Sequence, residues 1–212
     1  MNTILCYGDS NTWGAVPMTN FQERLRYDLH TRWPGVLRDR LGPDYWVIEE
    51  GLGGRTTVWD DPISPHRNGF TYLLPCLMTH QPLDLVIVML GTNDLKHRFG
   101  KSAYDIASGA GFLVDAILRS ACGRDAGAPQ VLLVCPPPTA KLTLFADMFE
   151  GAAEKSRQLA AHYQKVAEEF GVHFLNAGDI IESSDRDGIH FEAAAHQRLG
   201  EAVADKVRSL LA

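Results

Sequence analysis

This 212-residue chain has no apolar run long enough to cross a membrane, and no basic segment with a small-residue cleavage site follows Met1. Membrane anchoring and export are therefore not expected. Cysteine is scarce: Cys6, Cys76, Cys122 and Cys135 lie far apart without CxxC spacing, so the expectation is reduced, mostly buried thiols in a cytoplasmic protein. Lysine and arginine form no cluster and the net charge is −6, which argues against a nucleic-acid partner. Histidines 30, 66, 80, 97, 162, 173 and 196 form no pair of the His-Glu-x-x-His kind, so no metal and no cofactor are expected. Neither Gly-x-Gly-x-x-Gly nor a Walker sequence occurs, and Gly51-Leu52-Gly53-Gly54 is a poor phosphate cradle. The chain also lacks internal repeats, low-complexity tracts and linkers, and a single domain spanning 1–212 is expected.

Short apolar runs alternate with longer segments of helical period. Strands are expected at Thr3–Tyr7, Trp46–Glu49, Leu83–Leu90, Val131–Cys135 and Val172–Leu175, and helices near Trp33–Leu41, Phe70–Thr79, Ala103–Ser120, Ala152–Phe170 and Ala193–Leu211. That alternation predicts an α/β fold with a five-stranded, mostly parallel sheet between helix layers, a three-layer α/β/α sandwich. Leu83–Leu90 is almost unbroken apolar, as a central strand covered on both faces should be. Three connections are longer than the rest: Val16–Arg32, Trp59–Gly69 and Pro136–Gly151. Such segments serve as lids, pocket walls or subunit contacts.

Ligands of open α/β sheets bind at the carboxyl ends of strands. After the first strand comes Gly8-Asp9-Ser10-Asn11-Thr12-Trp13-Gly14, after the second Gly51-Leu52-Gly53-Gly54-Arg55-Thr56, after the third Gly91-Thr92-Asn93-Asp94, and after the last Asp187-Gly188-Ile189-His190. These four blocks, in this order, resemble the SGNH, or GDSL, hydrolase superfamily, and their finer detail is similar to its bacterial arylesterase and acyltransferase subgroup. The resemblance implies a flavodoxin-like SGNH fold and a serine esterase for short-chain aryl or alkyl esters of acetyl type. It also implies transesterification to alcohols in place of water, and homo-oligomers, with Phe21–Trp33 and the loop after Pro138 as contact candidates. An O-acetyl esterase acting on carbohydrate is the alternative within the same fold.

The chemistry of the residues fits that resemblance. A serine hydroxyl is a weak nucleophile until a base takes its proton, which His190 can do for Ser10, while Asp187, three residues upstream, can fix the imidazole tautomer. A Gly-x-Ser-x-Gly elbow is absent around Ser10. By resemblance, the oxyanion donors are the backbone amides of Ser10 and Gly54 and the side-chain amide of Asn93. Gly53 is adjacent, and the glycine before the Arg-Thr pair is the better match. Asp9 and Asp94 read as structural acceptors of turn amides. Asn11 and Trp13 are candidates for the substrate pocket, although Trp13 could equally pack beneath the first loop. A metallophosphoesterase would need more ligands than Asp9, Asp94 and His190, and a non-catalytic small-ligand binder would have no use for Ser, Asp and His together.

Overall fold

The computed structural model describes residues 1–211. Its frame is a five-stranded sheet of β1 (Asn2–Gly8), β2 (Tyr45–Gly51), β3 (Leu85–Met89), β4 (Gln130–Cys135) and β5 (His173–Asn176), in the order β2-β1-β3-β4-β5. All four pairings are parallel, so the sheet is more uniform than the mostly parallel one expected. Around it run α1 (Ser10–Trp13), α2 (Trp33–Leu41), α3 (Gly69–His80), α4 (Ala103–Leu118), α5 (Ala152–Phe170) and α6 (Ala193–Leu211).

Strand side chains alternate between the two faces. Leu5, Tyr7, Val86, Val88, Val131 and Leu133 join the core beneath α3, α4 and α5. Ile4, Cys6, Leu85, Ile87, Leu132 and Val134 join the core beneath α2 and α6. Both faces being buried explains why β3 reads as an apolar run. That run overshoots the strand: Leu83 and Leu90 are buried outside the ladder, where the Leu83 amide donates to the Cys122 carbonyl at 2.8 Å. Periodicity registers burial, and burial continues past the last ladder bond.

The chain leaves β1 toward β2 on one side and returns to β3 on the other. The carboxyl ends of β1 and β3 therefore flank the switch point of the sheet, where a crevice opens. Ser10 follows β1 and Asn93 follows β3. Among the described residues, no helix is long and apolar enough to cross a membrane.

Candidate active site

The segment after β1 turns at once into α1, a single helical turn that the sequence pattern alone leaves as a loop. Asp9 caps it by accepting from the Asn11 amide at 2.9 Å, which places Ser10 at the first helical position. The Ser10 Oγ lies 3.1 Å from His190 Nε2, and His190 Nδ1 lies 2.7 Å from Asp187 Oδ2. The three residues expected to act together thus form one continuous chain of hydrogen-bond contacts.

Asp187 and His190 share a turn held from several directions. Asp187 Oδ1 accepts from the amides of Ile189 (3.0 Å) and His190 (2.9 Å), and Oδ2 also accepts from the Met18 amide at 2.8 Å. Gly188 adopts φ +92°, and a β-carbon there would sit 2.9 Å from Leu142 Cα, so the turn needs glycine both for its backbone and for its close approach. Burial pushes the Asp187 carboxyl up, but the hydrogen bonds and charge of His190, with the two turn amides, outweigh it and hold the group below its ordinary value. A carboxylate that stays ionised while fully buried can steady an imidazolium.

The glycine block of β2 comes alongside. A β-carbon on Gly53 would stand 4.0 Å from Ser10 Cβ, and Gly54 adopts φ +83°. Among the described residues, neither the Ser10 nor the Gly54 amide donates to a protein acceptor, whereas the neighbouring Arg55 amide donates to the Leu52 carbonyl. Asn93 is buried, and its Nδ2 donates to the Arg55 carbonyl at 3.1 Å and, more weakly, to Asp9 Oδ2 at 3.3 Å.

Asp9 and Asp94 flank Ser10 and Asn93 without acting as acid–base groups in the serine chain. Burial pushes both carboxyls up to about 6, against the hydrogen bonds they accept. Asp94 receives both the amide and the hydroxyl of Thr57, and Asp9 joins Asn11 to Asn93. Both therefore brace the loops around the nucleophile.

Asn11, a candidate for the substrate pocket, is packed between two turns. Its side chain is 2 % exposed and its Nδ2 donates to the Ile189 carbonyl at 3.0 Å, linking the nucleophile turn to the histidine turn. Its Oδ1 is buried and has no hydrogen-bond partner among the described residues. Trp13 is half-buried, with the Arg26 guanidinium 4.8 Å from its ring centre. His196 is a core residue: its Nδ1 accepts from the Trp33 amide at 3.2 Å, and burial drives its pKa down to about 3.

Several participants carry no signal in the sequence. Met18 contributes only a main-chain amide, which any residue there could supply. Phe145 places its ring edge-on to His190 at 5.9 Å and against Phe21 at 5.6 Å, so two of the long connections meet over the histidine. Arg55 is 3 % exposed and donates to the carbonyls of Gly8 and Glu50, fastening the ends of β1 and β2 to the glycine block. Lys96 is buried near Asp61 at 3.8 Å, and burial, then Arg98, lower it to about 8. A groove of about 640 Å³ between α4 and α5 includes none of these residues.

A family model described as the GDSL-like lipase/acylhydrolase family matches residues 6–198. An aryl esterase from M. smegmatis is 48% identical, with a TM-score of 0.95 over 99% of this chain and 100% of that one. A carbohydrate acetylesterase from Sinorhizobium meliloti is 46% identical, also at 0.95 and over the same shares. A second carbohydrate acetylesterase family member from that organism is 38% identical at 0.91, over 100% of this chain and 99% of that one. No curated protein sequence matches significantly.

Proposed function

Because this chain belongs to the GDSL-like lipase/acylhydrolase family, we propose that it is a serine esterase that cleaves short-chain carboxylic esters through an acyl-Ser10 intermediate. The observation that carries the reading is the run of contacts from Ser10 Oγ through His190 to Asp187.

Ser10 Oγ attacks the ester carbonyl as its proton passes to His190 Nε2. The imidazolium is steadied by Asp187, and the developing oxyanion accepts from the free amides of Ser10 and Gly54. Asn93 supplies a third donor by exchanging its long bond to Asp9 for the oxyanion. Collapse expels the alcohol or phenol, which takes the proton from His190. Water activated by the same histidine then attacks the acyl carbon and frees Ser10.

An alcohol can take the place of water, because the acyl-enzyme partitions by the access and local concentration of acceptors. Phe145, edge-on to His190 and nearly buried, favours that outcome by restricting water on that side of the ring. The whole chain is read as one hydrolase domain acting on a small ester, with no nucleic-acid or membrane partner. Four free, buried cysteines suit a cytoplasmic setting. A sugar acetate is the second candidate substrate, favoured by the likeness to two carbohydrate acetylesterases.

Turnover of aryl and sugar acetates by the native chain and by Ser10→Ala tests this reading. The native enzyme should release acetate and, in aqueous alcohol, also form a new ester. Ser10→Ala should lose about a millionfold in kcat. Undiminished turnover by that variant would refute the acyl-serine mechanism, and free acid alone in alcohol would refute the transfer reaction.

A further inference from the structure

We propose that Glu50, Cys76 and His80 form a binding site for a zinc-class divalent cation, separate from the serine site. Their ligating atoms all lie within 4.8 Å of one another, the one such cluster of three among the described residues. Glu50 Oε1 and His80 Nε2 are already 3.0 Å apart.

The arrangement follows from two periodicities. Cys76 and His80 are four residues apart on α3 and so face the same way. Glu49 and Glu50 are successive residues of β2 and point to opposite faces of the sheet. Glu49 is taken up by Arg32 and Arg38 on one face. Glu50 on the other has no arginine side chain on its carboxylate, which faces His80 and, beside it, the Tyr72 hydroxyl and the Cys76 thiol.

Thiolate, imidazole and carboxylate are the donor set of a borderline-soft cation. In tetrahedral coordination, with bonds of about 2.0–2.3 Å, such donors stand roughly 3.3–3.8 Å apart. Glu50 and His80, each about one-fifth exposed, have side chains free at the surface edge to rotate toward such a geometry from separations of at most 4.8 Å. That exposure is also the entry path, because Cys76 is fully buried beneath them.

Charge decides what can occupy the site. A dication binds Cys76 as thiolate, its proton passing to solvent, and thiolate plus carboxylate then neutralise the ion, with His80 as the neutral third ligand and water in the fourth position. Arg55 opposes the cation, but its guanidinium lies over the Tyr7 ring at 4.2 Å and bonds to two carbonyls.

Titrating the reduced protein with zinc by calorimetry, and with cobalt by absorption, tests the site. Native protein and Ser10→Ala should each bind one equivalent, with a thiolate-to-cobalt charge-transfer band and release of a proton. Because Ser10→Ala is included, the result is independent of the esterase reading. Cys76→Ser should abolish the band, and His80→Gln and Glu50→Gln, both at partly exposed positions, should weaken binding by about tenfold or more. Absence of the band in native protein, or equal affinity in His80→Gln, would overturn the assignment.

Discussion

At the residue scale, Asp187 shows how one carboxylate serves two ends. It holds the His190 ring, and its two oxygens collect three backbone amides from two distant segments. Asp187→Asn would keep acceptor atoms for those amides while disturbing the tautomer of His190. The expected loss is about ten-thousandfold in kcat, with KM little changed, measured by steady-state ester turnover. The same change affects acid stability. Because the folded-state pKa lies below the unfolded value of 3.8, the stability contributed by this carboxylate is fully present above that value and is lost as pH falls through the folded pKa. Asp187→Asn should therefore flatten this part of the acid limb in denaturant melts below about pH 4. A variant with native turnover, or one with an unchanged acid limb, would contradict this account.

At the scale of elements, the strands and helices were largely legible because each carries a full period of apolar residues. Three chemistry-bearing blocks are legible because they directly follow β1, β2 and β3, whereas Asp187–His190 lies about ten residues beyond the end of β5, after an intervening turn. What escaped were contributions without a side-chain signature: the Met18 amide, the helical turn at Ser10 and the edge of the Phe145 ring. The bond from Asn11 Nδ2 to the Ile189 carbonyl is likewise invisible in the sequence, because it joins residues far apart in the chain. The overshoot of β3 arises because hydropathy cannot tell a buried ladder residue from a buried loop residue. Close helix contact is equally invisible to hydropathy. A β-carbon on Gly200 of α6 would stand 2.6 Å from Val36 Cβ and 2.8 Å from the Trp33 carbonyl of α2. Gly200→Val should cost about 1–3 kcal/mol through overpacking. The midpoint should then fall by roughly 2–4 °C per kcal/mol in a thermal melt, and an unmoved midpoint would mean that α2 yields freely.

At the scale of the whole molecule, the connection 16–32 carries Phe21 at 53% and Leu25 at 63% exposure, apolar groups that a lone chain leaves in water. We propose this segment, with the loop after Pro138, as a contact between copies. Light scattering should give a mass above the 23.4 kDa of one chain, and Leu25→Glu should lower it; a monomer at every concentration would dismiss the contact. The amide of Met18 belongs to this same connection and rests on Asp187. Whatever steadies the segment from outside therefore steadies the carboxylate behind His190. Dilution, by separating the copies, would then slow each remaining molecule, so that rate per milligram becomes a gauge of company.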